Sequence, residues 1–149
     1  MIPQIIPLHL PEKFARQIER EGSDAYPNEC CGVLYGRDVD GNTRRIVERI
    51  AAVDNAFDEA EKFHRFSISP KQLMQAEKEA AAEGRLVLGF YHSHPDCPAR
   101  PSEYDRVHAW PFYSYVIVAI AKREPGDMTS WLLDDQTETF SRQDIIETP

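Results

Sequence analysis

Apolar and polar positions along this chain switch between a helical and a strand period, and the switches predict a mixed order of helices and strands. Ile2 to Leu10 is apolar and reads as extended. Pro11 then suits the first position of a helix that carries Phe14, Ala15 and Ile18 on one face and stops at Gly22. Cys31 to Tyr35 reads as a strand, Asp40-Gly41 as a hairpin turn, and Thr43 to Val53 as the returning strand with charged residues interleaved. Phe57 to His64 is acidic and ambiguous, and Phe66 to Ile68 is a short strand candidate. Ser69 as N-cap, Pro70 at the first position and Gln72 at the third form a capping box. The helix they open turns Leu73, Ala76 and Ala80 inward and ends at Gly84. Leu86 to Tyr91 is a continuous apolar run, the mark of a strand buried on both faces. Ser102 to Trp110 reads as a short helix, Tyr113 to Ala121 and Ser130 to Leu133 as strands, and Asp134-Asp135-Gln136 as a turn into a last strand through Phe140.

This order predicts an α/β chain of the α+β type, a mixed sheet flanked by helices. At 149 residues it is long enough to hold a core as one domain, 1–149, without disulfides or metal to staple it. No repeat or linker divides it. A net charge of -8 and a pI near 5.1 argue against a nucleic-acid binder. The longest uncharged stretch, Ala109 to Ala121, is thirteen residues and is broken by Pro111, too short to span a bilayer. Met1-Ile2-Pro3-Gln4 brings no basic region before the first apolar residues, so no secretory signal is expected. Three cysteines, two of them adjacent, do not make a disulfide framework and suit a reducing cytoplasm. Cys30 and Cys31 are read as small buried residues at a strand start.

The chemistry concentrates where the buried run ends. His92 and His94, at i and i+2 on an extended segment, point to one face about 6.6 Å apart along the strand, so both rings can reach one ion. Asp105 can supply a third ligand if the chain turns through Pro95 to Pro101, leaving a fourth tetrahedral position for water. The plainer reading is that Ser102-Glu103-Tyr104-Asp105 is a capping box and says only that a helix starts there. The two readings make different structural demands on Asp105. Two neutral imidazoles and one carboxylate leave a zinc ion with a net charge near +1 and its Lewis acidity intact. Amide hydrolysis also needs a proton carrier, worth roughly a hundred- to ten-thousand-fold, and no His-Glu-x-x-His motif supplies one.

The run His92-Ser93-His94, seven residues, Ser102, two residues, Asp105, with Glu29 upstream in Pro27-Asn28-Glu29-Cys30-Cys31-Gly32, resembles the JAMM (MPN-plus) metalloprotease family. It is most similar to the short stand-alone prokaryotic subgroup. The resemblance spans roughly residues 26 to 121. It implies a cytidine-deaminase-like sheet in a single JAMM/MPN domain and makes His92, His94 and Asp105 the ligands of Zn2+. Glu29 becomes the general base for the attacking water and Ser102 the donor to the oxyanion. It further implies a zinc metallopeptidase that hydrolyses the peptide or isopeptide bond after the C-terminal Gly-Gly of a ubiquitin-like or sulfur-carrier protein. The partner is then a flexible tail, which could pair as an added strand. Assembly as a homodimer is left open.

Cys97 and Arg100 lie in the loop between the histidines and Ser102. Cys97 is either a loop thiol without a role, or a thiolate that occupies the open zinc position in a resting state or makes the site sensitive to oxidation. Arg100 is a candidate for a substrate carbonyl or carboxylate. His108, three residues after Asp105, is the rival ligand; His9 and His64 have no supporting context. Trp110, Phe112, Tyr113 and Tyr115 read as packing. Two other functions compete: a catalytically silent scaffold of the same fold, and a zinc hydrolase of a small amide. A nucleoside deaminase is disfavoured, because neither His-x-Glu nor Pro-Cys-x-x-Cys occurs.

Overall fold

The computed structural model describes residues 5–53 and 68–149. The Phe57–His64 stretch, Phe66 and the first residues of the expected N-terminal strand lie outside them. The elements run β1 (Leu8–Pro11), α1 (Glu12–Ala25), β2 (Cys31–Val39), β3 (Arg44–Ala52), α2 (Pro70–Ala82), β4 (Leu86–Pro95), α3 (Glu103–His108), β5 (Ser114–Ala121), β6 (Glu124–Leu133), β7 (Phe140–Gln143) and β8 (Ile145–Thr148). All the strands join one mixed sheet in the order β7-β6-β5-β4-β2-β3-β1-β8. β4 lies antiparallel to β2 and parallel to β5. It is therefore central, as its unbroken apolar run predicts.

Two cores follow from the two faces of this sheet. Side chains alternate across a strand. Val116, Val118 and Ile120 of β5, with Leu88 and Tyr91, pack with Ala15 and Ile18 of α1. On the other face Val33, Val87, Phe90 and Tyr115 pack with Ala76 and Ala80 of α2. Phe90 thus fixes the side on which His92 and His94 emerge, the α2 face. Gly89 sets the spacing behind them. A Cβ there would lie 1.8 Å from the Ser114 carbonyl oxygen, so only glycine lets β4 and β5 approach so closely.

Several boundaries differ from those the pattern predicts, for physical reasons. Pro11 is the N-cap of α1 rather than its first residue, because it still pairs with Thr148 of β8 and keeps an extended ψ of 140°. α1 continues past Gly22 to Ala25. That glycine serves close packing instead of a stop, since a Cβ on it would meet Ile120 Cδ1 at 2.9 Å and Ser93 Cβ at 3.2 Å. Ile68 is not in a strand. The helix expected over Ser102 to Trp110 is Glu103–His108, and β5 begins at Ser114. After the turn at Asp134, Phe140 opens β7, and β8 follows to extend the opposite edge. No helix among the described residues is long and apolar enough to cross a membrane.

Candidate metal centre

β4 runs through both histidines and ends at Pro95, so His92 and His94 share a face of a hydrogen-bonded strand. Their Nε2 atoms are 3.1 Å apart. Asp105 Oδ2, from the first turn of α3, lies 3.4 Å from the first and 3.2 Å from the second. Among the described residues these three form the group of side chains that could hold a metal ion. Zinc bound tetrahedrally at 2.0–2.1 Å needs ligand atoms about 3.3–3.4 Å apart along the edges of the tetrahedron. The three separations match one face of such a tetrahedron, so the residues fit the ion.

The tautomers support the same fit. His94 Nδ1 is 2.9 Å from the Pro98 carbonyl, which can only accept, so Nδ1 carries the proton and Nε2 presents a lone pair. Burial lowers the pKa of His92, only 1 % exposed, which favours the neutral imidazole a metal requires. Burial pushes Asp105 upward, but His92, His94 and the Ser102 N–H outweigh it and hold the carboxyl below its usual range. A carboxylate oxygen and the His94 Nε2 lone pair thus converge beside His92 Nε2, an arrangement a cation stabilises.

Capping and convergence turn out to be compatible. Ser102 Oγ accepts from the Asp105 N–H at 3.0 Å, and Asp105 Oδ2 accepts from the Ser102 N–H at 2.8 Å while facing the histidines. A carboxylate oxygen has lone pairs for both tasks, so the expected conflict does not arise. The box aims Asp105 at the histidines. Ser102 Oγ, used there as an acceptor, keeps its proton for another partner.

Glu29 reaches the site through a serine that sequence reasoning passed over. Cys31 pairs with His92 across β2 and β4, and one step beyond, Cys30 and Ser93 bond reciprocally. The Cys30 N–H donates to Ser93 Oγ at 2.9 Å, and the Ser93 N–H donates to the Cys30 carbonyl at 3.2 Å. Continuing that register brings Glu29 opposite His94 on the same face. The signal was available: a polar residue between two same-face histidines must be buried on the other face, and a buried hydroxyl needs a partner. Ser93 is fully buried.

Glu29 is 8 % exposed, and its Oε2 has no hydrogen-bond partner among the described residues. Burial, with the charge of Asp105 adding to it, raises its carboxyl pKa to about 9. An unpartnered buried carboxyl costs free energy, and it is the kind of group found where protons are moved.

The loop after β4 is held from several sides. The Asp96 N–H donates to the Ile120 carbonyl, and the Asp96 carboxylate accepts from Tyr26 Oη and the Lys122 N–H. Further along, Thr129 Oγ1 donates to the Ala99 carbonyl at 2.7 Å and accepts from Trp131 Nε1. Thr129 was not a sequence candidate. It stands one residue before the strand that the pattern predicts at Ser130.

Two cavities flank the triad. One, of about 200 Å³, is lined by Glu29, His94, Cys97, Arg100 and Ser102 together with Pro95 and Pro98. The other, of about 440 Å³, has Asp105 at its edge and apolar walls that include Ile68, Phe90, Val107, Trp110 and Tyr115. His108 does not join the triad. Its Nδ1 bonds back to the Tyr104 carbonyl and its ring stacks on Tyr104 at 3.9 Å. Trp110, Tyr113 and Tyr115 pack around Phe90, and Phe112 lies against Tyr113. Cys30, Cys31 and Cys97 form no disulfide among the described residues.

Known proteins are similar to this chain. A desampylase of Haloferax volcanii is 35% identical over 123 residues, 80% of this chain and 81% of its own. A desampylase of Pyrococcus furiosus is 24% identical over 142 residues, 94% of this chain and 91% of its own. A solution structure of a protein from Desulfitobacterium hafniense is 32% identical and superposes with a TM-score of 0.79, covering 95% of this chain and 92% of that one. The family model for prokaryotic homologs of the JAB domain matches residues 10–134, a span that takes in Glu29, both histidines, Ser102 and Asp105. With the central strand, the triad and the upstream glutamate all inside that match, the chain belongs to the family of prokaryotic JAB-domain homologs.

Proposed function

We propose that this chain, acting as one domain, is a zinc-dependent peptidase. It hydrolyses the peptide or isopeptide bond that follows the C-terminal Gly-Gly of a ubiquitin-like or sulfur-carrier protein. The observation that carries the proposal is the buried, unpartnered Glu29 carboxyl beside a triad whose separations fit zinc. The names of the two desampylases support the substrate class.

His92, His94 and Asp105 would hold the ion. Zinc bound there would supply Lewis acidity and lower the pKa of a water to about 7. The remaining steps belong to the side chains. Glu29, ionised as a cation held by the triad would favour, takes the proton of the attacking water at its carboxylate and hands it to the departing nitrogen as the C–N bond breaks. Ser102 donates its hydroxyl proton to the carbonyl oxygen as negative charge develops there, while its own oxygen stays engaged by the Asp105 N–H. The Thr129–Ala99 and Pro98–His94 hydrogen bonds keep the loop and the ligand ring in place.

The test is a carrier ending in Gly-Gly fused to a reporter. Cleavage that a chelator stops and zinc restores, and that Glu29→Gln abolishes, is the expected result. A folded, zinc-loaded protein that leaves every such fusion intact would sink the proposal.

A further inference from the structure

The two halves of the site come from distant parts of the chain. His92 and His94 lie near the end of β4, whereas Glu29 lies in the segment from Tyr26 to Cys30, which is neither helix nor strand. Glu29 Oε2 has no hydrogen-bond partner among the described residues. The backbone on either side of Glu29, rather than a bond to that oxygen, therefore sets where its carboxyl points.

Both ends of the segment are tied to the chain that carries the histidines. At one end is the reciprocal Cys30–Ser93 pair. At the other, three residues before Glu29, Tyr26 Oη donates to Asp96 Oδ2 at 2.5 Å, and Asp96 stands two residues after His94. Asp96 is itself fixed. Its N–H donates to the Ile120 carbonyl at 2.7 Å, and its Oδ1 accepts from the Lys122 N–H at 2.8 Å. Its φ of 54° is left-handed, a conformation that Asp, Asn and Gly adopt more readily than other residues. Tyr26 is fixed as well: its ring packs against the core, and its carbonyl accepts from Arg123 Nη2 at 3.2 Å. Arg123 Nη1 also donates to the Ser23 carbonyl, and Ser23 Oγ donates back to the Arg123 carbonyl. The end of α1, the loop after β4 and the turn between β5 and β6 thus meet around one hydroxyl–carboxylate contact.

We infer that Tyr26 and Asp96 are positioning residues, whose contact sets the placement of Glu29 relative to His92, His94 and Asp105. Both act through the backbone, and Asp96 ties the base to the ligand strand because it belongs to the turn that leaves His94. With the Tyr26 end released, the segment is held to that strand only by the Cys30–Ser93 pair, and Glu29, beside that pair, loses its fixed aim. This inference rests on the hydrolase reading and names what aligns its base.

The test uses Tyr26→Phe, which removes one oxygen and keeps the ring, and Asp96→Gly, which removes the carboxylate and tolerates the left-handed backbone. Asp96→Asn, which still offers a polar group to both partners, is the conservative variant. With zinc-loaded protein and a Gly-Gly fusion, Tyr26→Phe and Asp96→Gly should each lower kcat by about tenfold or more, the scale of a misplaced catalytic group. KM, and the zinc Kd from competition with a chelator, should stay within about threefold, since neither residue is a ligand. The double variant should be no slower than the slower single one, and Asp96→Asn should keep most of the rate. In the metal-free protein, hydrogen exchange at the Asn28 and Cys30 amides should speed up about tenfold in Tyr26→Phe, the scale of one charge-assisted hydrogen bond, while β5 amides stay unchanged. Wild-type kcat in Tyr26→Phe, or zinc affinity that falls in step with kcat, overturns the positioning role and leaves the hydrolase reading standing. Unchanged exchange at Asn28 and Cys30 overturns the tie itself. Wild-type protein that cleaves no such fusion overturns the hydrolase reading, and the positioning role with it.

Discussion

Replacing Glu29 by glutamine in the metal-free protein should change how stability depends on pH. Burial, first, and the Asp105 charge, second, raise the folded-state pKa of Glu29 to about 9 from 4.5. Between those values the folded state holds a proton that the unfolded state has lost, so stability must fall as pH rises. Each pH unit corresponds to about 1.4 kcal/mol. From pH 5 to pH 7 the wild type should therefore lose about 2–3 kcal/mol relative to Glu29→Gln, a large share of a stability of roughly 5–15 kcal/mol. The neutral amide is itself buried without a partner, which shifts the two curves by a constant and leaves the slope difference intact. His92 and Asp105 titrate in both proteins and drop out of the comparison to first order. Urea unfolding followed by circular dichroism at pH 5, 6 and 7 measures it, with an expected relative midpoint shift of about 1 M or more. Parallel pH profiles for the two proteins would refute the account of Glu29 as a buried carboxyl with a raised pKa.

Substitutions at three other positions test separate parts of the account. Ser102→Ala should cost about 1 kcal/mol of stability as a lost cap and lower hydrolysis by about 10²–10³-fold. Ser102→Asp, which caps but has no proton to donate, should recover the stability and not the rate. Gly89→Ala should destabilise the protein by about 4 kcal/mol or more, because its Cβ would sit 1.8 Å from the Ser114 oxygen; thermal melting checks it. Thr129→Val should release the Ala99 carbonyl and weaken zinc binding by about tenfold in a competition titration with a chelator, while a stable fold remains.

Much of the fold could be read where local chemistry decides it. The Ser69 capping box, with Pro70 at the first position, opens α2 as predicted, because both partners of the box lie within one turn. The apolar run before His92 proved to be the central strand, since a strand buried on both faces has no polar side. What escaped depends on distant chain. Pro11 stays extended because Thr148 pairs with it from the far end of the sequence, and Gly22 lies inside α1 because Ile120 and Ser93 crowd it. At the site, the spacing of His92, His94, Ser102 and Asp105 made the convergence visible. Glu29 entered only through family resemblance. Its physical link, the Cys30–Ser93 pair, is a cross-strand contact whose partner no local pattern names, although the placement of Ser93 on the opposite face could be read. The expected conflict at Asp105 dissolved for a geometric reason, since one oxygen can close the capping box and face the histidines together.

The most direct test of the central claim measures metal content and hydrolysis on the same preparations of wild type, Glu29→Gln and His92→Ala. The account predicts one zinc per chain in the first two, little in the third, and cleavage of a Gly-Gly fusion by the wild type alone. Wild-type protein that binds no zinc, or a Glu29→Gln variant that cleaves as fast as wild type, would contradict it.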